Sequence, residues 1–324
     1  MPIKCIIDYI LPLCYNLKAM KTGENKNSIK GVALLLTTAL IWGSSFVAQS
    51  LGMEKIEAFT FNGIRTLIGG FALIPVILVK SRITKAPLKA SLNKDAIKRG
   101  LLLGLVFFAA SNLQQFAFID STSGKIAFIT SLYMFFVPLL GLFLGKRVPL
   151  LTWLCVVLGF IGLYFLCIRP DQPTAINRGD FLAFLCSFFF AIHILLVERF
   201  SVKTDGTVLS CLQFFVSGTI SVICMFIFES PDIDAILSAT QPLLYSGLMS
   251  CGVAYTFQII GQKYTEATLA SLLMCMESVF AVITAAIILG ERMSAREAIG
   301  CIIMFAAIII SQISGARKSK SSQT

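Results

Sequence analysis

Ten runs of about 20 mostly apolar residues constrain this chain more than any other feature. They cover Gly31–Ser50, Ala58–Val79, Arg99–Phe118, Lys125–Leu144, Leu150–Ile168, Asp180–Val197, Thr207–Phe228, Pro242–Gly261, Ala267–Leu289 and Ala298–Ser314. A helix of that length crosses a bilayer and satisfies its own backbone hydrogen bonds there. The runs are continuous rather than alternating, which excludes a transmembrane β-barrel. Only 14% of the 324 residues are charged, against about a quarter in soluble domains. A soluble enzyme, a secreted disulfide scaffold and an anchor carrying a large extramembrane domain are all excluded. The expected fold is an all-α integral membrane protein with ten transmembrane helices.

The formal net charge of +10 reads as orientation rather than nucleic-acid binding. With a cytoplasmic N-terminus, 19 of the 25 loop and tail Lys and Arg residues between Lys18 and Lys320 lie inside. The inside set includes the cluster Lys80, Arg82, Lys85, Lys89, Lys94, Lys98 and Arg99; the loop Glu229–Pro242, outside, has none. A multi-pass protein of the cytoplasmic membrane with both termini cytoplasmic is expected.

Residues 1–30 form an N-terminal extension, and 315–324 a basic tail. Within the extension, "CIIDYILPLCYNL" is too short to span and has no A-x-A cleavage site. Two readings stand: an amphipathic surface segment, or an upstream mis-start with the true start at Met20. Among ten Cys there is no C-x-x-C, and His193 is the single histidine, so no metal site or cofactor is expected. The cysteines read as small apolar packing residues. "GLFLGKR" is one residue short of a P-loop and lacks its Ser/Thr, and no H-E-x-x-H occurs.

The ten segments repeat as five plus five. "LFLGKR" at Leu142–Arg147 matches "IILGER" at Ile287–Arg292, and Gly31 with "VALLLTTALIWGSSF" aligns with Gly179 and "DFLAFLCSFFFAIHI". Between them, "NLQQF" and "YTFQI" align at an offset of about 143, placing Asn112 on Tyr255 and Gln115 on Gln258. The units are 31–168 and 179–314. Five is odd, so the second unit enters the membrane inverted, and inverted repeats are a transporter signature.

Here the chain resembles the drug/metabolite transporter superfamily, in particular its EamA-type members. The pieces that carry the likeness are "LIWGSSFVAQ", "FNGIRTLIGG", "ITSLYMFFVPLLGLFLGKR" and "ASLLMCMESVFAVITAAIILGER". The resemblance implies export of small metabolites such as amino acids in most members, and import of sugars or nucleotide-sugars in some. It also implies that Arg65 is a general feature rather than a substrate selector. Such proteins often read Glu-Pro in the ninth helix; here Ser278 follows Glu277, so that helix is expected to be straighter.

Ionisable groups deep in a membrane face a bundle interior or a wet cavity. Glu277, mid-segment, can bind a proton or a substrate's amino group, or simply tie two helices together. Arg65 can attract a carboxylate, pair with Glu277, or bond carbonyl groups. His193, at the repeat position of Ser45, can change charge near neutral pH or sit neutral and satisfied. Trp42, Ser45 and Gln49 share a helical face, as do Asn112 and Gln115, and Tyr255, Gln258 and Gln262. Tyr133 is the near counterpart of Glu277. Lining a cavity and gluing helices are the two readings of these faces. The expected substrate-binding set is Trp42, Ser45, Gln49, Asn112, Gln115, Tyr133, His193, Tyr255, Gln258 and Glu277. Glu277, Arg65 and His193 are the candidates for coupling or structural charge.

Helices 1, 3, 4, 6, 8 and 9 are expected to line the cavity, with 5 and 10 facing lipid. The expected activity is secondary transport, not catalysis: efflux of an amino-acid or amine-like solute by alternating access. The partners are that small molecule and the bilayer, with proton or sodium coupling; monomer and homodimer are both compatible. The alternatives are a membrane-embedded enzyme or accessory acting on lipid-linked groups, and a passive facilitator.

Overall fold

A computed structural model describes residues 23–85, 91–146, 148–168, 176–288 and 294–321, and every element in them is helical. The two readings of the first 19 residues lie outside the described residues. We label the long helices α1 (Gly23–Met53), α2 (Ala58–Thr84), α3 (Lys94–Asp120), α4 (Ser123–Phe143), α5 (Leu150–Cys167), α6 (Arg178–Ser201), α7 (Gly206–Phe228), α8 (Thr240–Gln262), α9 (Ala267–Met274 continued by Met276–Ile288) and α10 (Ala295–Ser321). Among the described residues nine are long and apolar enough to cross a membrane, and α10 is a further long helix over the tenth apolar run. It continues through the basic residues after 314 to Ser321.

Local signals place the helix starts. Asn93 accepts the Ala96 N–H at 2.8 Å, capping α3. Asn177 and Asp180 form a capping box on α6. Asp205 caps α7 through the N–H groups of Thr207 and Val208. Proline 149, lacking a donor, precedes the first turn of α5.

The halves interlock. Helix α2 packs along α7 and α5 along α10, joining equivalent helices of the two repeats; α3 lies against α6, and α8 against α1. Gly104 seats on Val216 of α7, while Gly247 seats on Ile68 of α2, a contact with the same geometry in the other half. This is the pairing that an inverted repeat requires. Glycines permit the close approach of α5 and α10, where Gly162 faces Gly300. The outer faces of α5 and α10 expose Leu150, Leu154, Ile161, Ile302 and Ile309, side chains suited to lipid rather than water.

Two helices break, at one repeat position. In α4 the N–H groups of Leu132 and Met134 bond three residues back, tightening the turn at Ser131–Leu132. In α9 the break is at Cys275, where the Ser278 N–H bonds the Cys275 carbonyl. The expected straighter ninth helix is therefore corrected. No proline is needed, because the break follows from where α9 crosses α4: Cys275 Sγ donates to the Ser131 carbonyl at 3.7 Å.

One feature was not foreseen. Within α8, Ser246–Tyr255 is π-helical, a wider coil that takes up an extra residue. At its start, Gly104 and Gly247 correspond at an offset of 143. After it the offset is 144: Gly179 sits on Ala117 and Ser121, as Gly31 sits on Gly261 and Thr265.

Candidate functional site

The register change decides which residues meet at the centre. At the crossing of α4 and α9, the Tyr133 hydroxyl donates to Glu277 Oε1 at 3.4 Å, across 144 residues of sequence. These two are repeat mates, as are Ser131 and Cys275, so mates touch and the local two-fold axis runs between them. Around that axis lies a narrow cavity of about 30 Å³, room for about two water molecules. Five mated pairs line it: Trp42 with Phe190, Phe46 with Ile194, Gln114 with Gln258, Thr130 with Met274, and Tyr133 with Glu277. Gln49, Arg65, Ser250 and Tyr255 complete the wall.

Each polar group has a structural reason for its position. Helix α1 approaches α9 at Gly43, where a Cβ would fall 2.5 Å from the Glu277 carbonyl oxygen. Trp42 and Tyr255 pack with ring centroids 4.5 Å apart, and Phe107 meets Tyr255 edge-on at 4.8 Å. Arg65 donates from Nε to Asn62 Oδ1 at 2.9 Å, and Asn62 in turn donates to Ser111 Oγ at 3.0 Å. The Arg65 guanidinium also lies 5.5 Å from the Phe61 ring. Arg65 is 3% exposed and Glu277 4%. Three ion pairs occur among the described residues, Lys80–Asp205, Lys125–Asp180 and Lys146–Glu198, and neither Arg65 nor Glu277 enters one.

The cavity wall also carries Trp42 Nε1, Gln49 Oε1 and Gln258 Oε1, all buried and without a hydrogen-bond partner. A buried polar group left unmade is costly, so such atoms converging on one space mark a place where a ligand or water completes the bonding. One donor, two acceptors, a guanidinium and a carboxyl group can hold a small polar solute by both ends.

Of the ten candidate binding residues, Trp42, Gln49, Tyr133, Tyr255, Gln258 and Glu277 line the cavity, and Arg65 joins them. The other four do not. Ser45 is fully buried beside it. Asn112 donates to Ser221 Oγ at 3.0 Å and to the Phe108 carbonyl at 2.8 Å, away from the centre. Gln115 is fully buried, its amide without a partner. His193 Nε2 bonds Gln213 Oε1 at 2.9 Å, its ring against the outer side of Tyr255, Phe190 and Phe107. Arg65 and Glu277, read above as a potential pair, are not one. Gln114, Thr130 and Ser250 were missed. A constant offset of 143 mates Gln258 with Gln115, whereas the extra residue in α8 mates it with Gln114. The one available signal was that Gln114 adjoins Gln115.

The helices define a multi-pass membrane protein with a narrow polar cavity on its axis. The chain belongs to the EamA-like transporter family, whose model matches residues 29–168 and again 177–312. An uncharacterized transporter of Archaeoglobus fulgidus is 26% identical over 281 residues, 86% of this chain and 84% of its own length. The uncharacterized transporter YoaV of Bacillus subtilis is 22% identical over 300 residues, 90% of this chain and 99% of its own. A solved crystal structure of a protein with 18% identity superposes with a TM-score of 0.73, covering 89% of this chain and 98% of that one, and shares the fold.

Proposed function

We propose that the protein is a secondary transporter that moves a small amino-acid or amine-like solute by alternating access, with residues 31–168 and 179–314 as its two repeat units. The observation that carries this reading is the axial cavity, where Glu277 and Arg65 lie buried without an ionic partner beside unpaired Trp42, Gln49 and Gln258 atoms. A solute with an ammonium group and a carboxylate suits Glu277 and Arg65 together. Its size supports gating: a space for about two waters admits an amino acid only after the helices part. The breaks in α4 and α9 supply places where half-helices can tilt.

Efflux across the cytoplasmic membrane is the favoured direction, with both termini inside, from the distribution of basic residues and the family likeness. The test begins with a metabolite comparison of cells with and without overproduced protein. The leading amines and amino acids are then loaded into proteoliposomes under an imposed proton or sodium gradient. Accumulation of one solute against its own gradient is the expected result. Equilibration without accumulation means a passive facilitator, and no movement of any solute overturns the reading.

A further inference from the structure

The cavity is not symmetric about its axis. Ten of its residues form five mated pairs, but Gln49, Arg65 and Tyr255 line it while their mates Val197, Gln213 and Ser111 do not. Gln49 and Arg65 lie toward the end of the bundle where α1 finishes and α2 begins, and their mates Val197 and Gln213 lie toward the opposite end, outside the cavity wall. One layer of aromatic rings separates the two sides: His193 packs 6.3 Å from Tyr255 and 6.4 Å from Phe190, both in the cavity wall, with Phe107 beside them at 4.8 Å from Tyr255 and 5.7 Å from His193.

Behind these rings the polar groups are incompletely bonded. Gln213 Oε1 and His193 Nε2 are 2.9 Å apart, but Gln213 Nε2 and His193 Nδ1 have no partner, and both residues are fully buried. Their mates are Arg65, which lines the cavity, and Ser45, buried beside it. A polar pair is thus placed at both repeat positions, and the cavity reaches a member of only one of them.

We infer that Gln213, His193 and Val197 form a second wall of the binding site, uncovered when the two repeats exchange conformations. The inference rests on the alternating-access reading. In one state the solute meets Arg65 and Gln49. In the other it meets an amide and an imidazole in place of the guanidinium, and Gln213 Nε2 and His193 Nδ1 gain partners. An anionic group on the solute is therefore held by a full positive charge from one face of the membrane and by the neutral Gln213 amide from the other, while His193 Nδ1, an acceptor because Nε2–H donates to Gln213 Oε1, takes up a donor group of the solute.

The test uses full-length protein with its ten native cysteines replaced, in vesicles of known orientation. Two matched pairs of single variants are made, Arg65→Cys with Gln213→Cys, and Gln49→Cys with Val197→Cys. The second pair covers loss of folding in the first. A charged, membrane-impermeant methanethiosulfonate is added from each face in turn. Positions 65 and 49 are expected to label from one face and to lose labelling from the other, with positions 213 and 197 showing the reverse. If 213 and 197 stay inert from both faces while 65 and 49 react, the second wall is wrong and the transporter reading survives. If all four react from one face only, or none reacts, alternating access fails with it.

Discussion

Helices α3 and α8 occupy the same place in the two repeats, yet α3 is regular throughout and α8 carries ten residues of π-helix. The difference is one residue, and it turns everything beyond it by about 100° relative to the sequence alignment. Gln114 rather than Gln115 thereby becomes the partner of Gln258. A repeat of two copies need not keep one offset, and a drift of a single position is enough to exchange a lining residue for a buried one. The same two copies diverge in chemistry, with Arg65 opposite Gln213 and Tyr133 opposite Glu277.

Copying the first repeat onto the second tests that divergence most severely. Gln213→Arg places a guanidinium beside His193, where no carboxylate waits, and an unpaired buried charge costs about 3–5 kcal/mol. Loss of the folded, monodisperse protein in detergent is the expected outcome; normal thermal unfolding would show that the sealed side is already wet. Next comes the axial pair. Glu277→Gln should lower solute counterflow by about 10- to 100-fold, the worth of one hydrogen bond to a charged group, while leaving the unfolding midpoint near that of the parent. Tyr133→Phe removes a neutral contact and should cost less than about tenfold. Equal effects at both positions would mean that the pair acts only as a tie between α4 and α9.

Deleting Val253 makes α8 as regular as α3. Because Gly247 and Gly261 already match contacts made by α3, the chain should still fold, with stability changed by less than about 2 kcal/mol in thermal unfolding. Unfolding on deletion would show that the extra residue is held by packing that α3 does not share.

The smallest effect concerns the ends of α2 and α7. Lys80, in the last turns of α2, pairs at 2.5 Å with Asp205, which precedes α7 and lies outside the membrane-spanning segments. Burial pushes the Asp205 carboxyl up, but Lys80 and the N–H groups of Val208 and Thr207 more than reverse this and hold it below its ordinary value. Its stabilisation is therefore present above the ordinary carboxylate range and is lost as pH falls through it. The pair is partly exposed, so the loss should be under about 1 kcal/mol. A midpoint that drops on acidification as steeply in Asp205→Asn as in the parent would assign the effect to other carboxylates.

The ten apolar runs were readable because lipid demands length and apolarity from every span, and each run falls on one helix, with α1 and α10 continuing furthest beyond theirs, into residues 23–30 and 315–321. The axial pair was readable too, since a carboxylate in mid-span is rare and its repeat position holds Tyr133. The arrangement of α3 was not. Asn112 and Gln115 are as polar as Gln114, and only the coil geometry of α8 distinguishes them. The break in α9 was hidden for a similar reason: Cys275 has no backbone peculiarity, and the turn there depends on a crossing with Ser131, 144 residues away. His193 stood out by residue type, but its seat against Tyr255, Phe190 and Phe107 depends on tertiary packing.

The interlocking of the halves has a consequence for biogenesis. Synthesis proceeds from the N-terminus, so α3 enters the bilayer well before α6 and α7, the helices it packs against, have been made. Asn112 must wait 109 residues for Ser221, and until then its amide has only the Phe108 carbonyl of its own helix. The first five helices are thus an incomplete assembly with unmet polar groups. Chains truncated after the first repeat should be targets for membrane proteolysis rather than stable half-transporters.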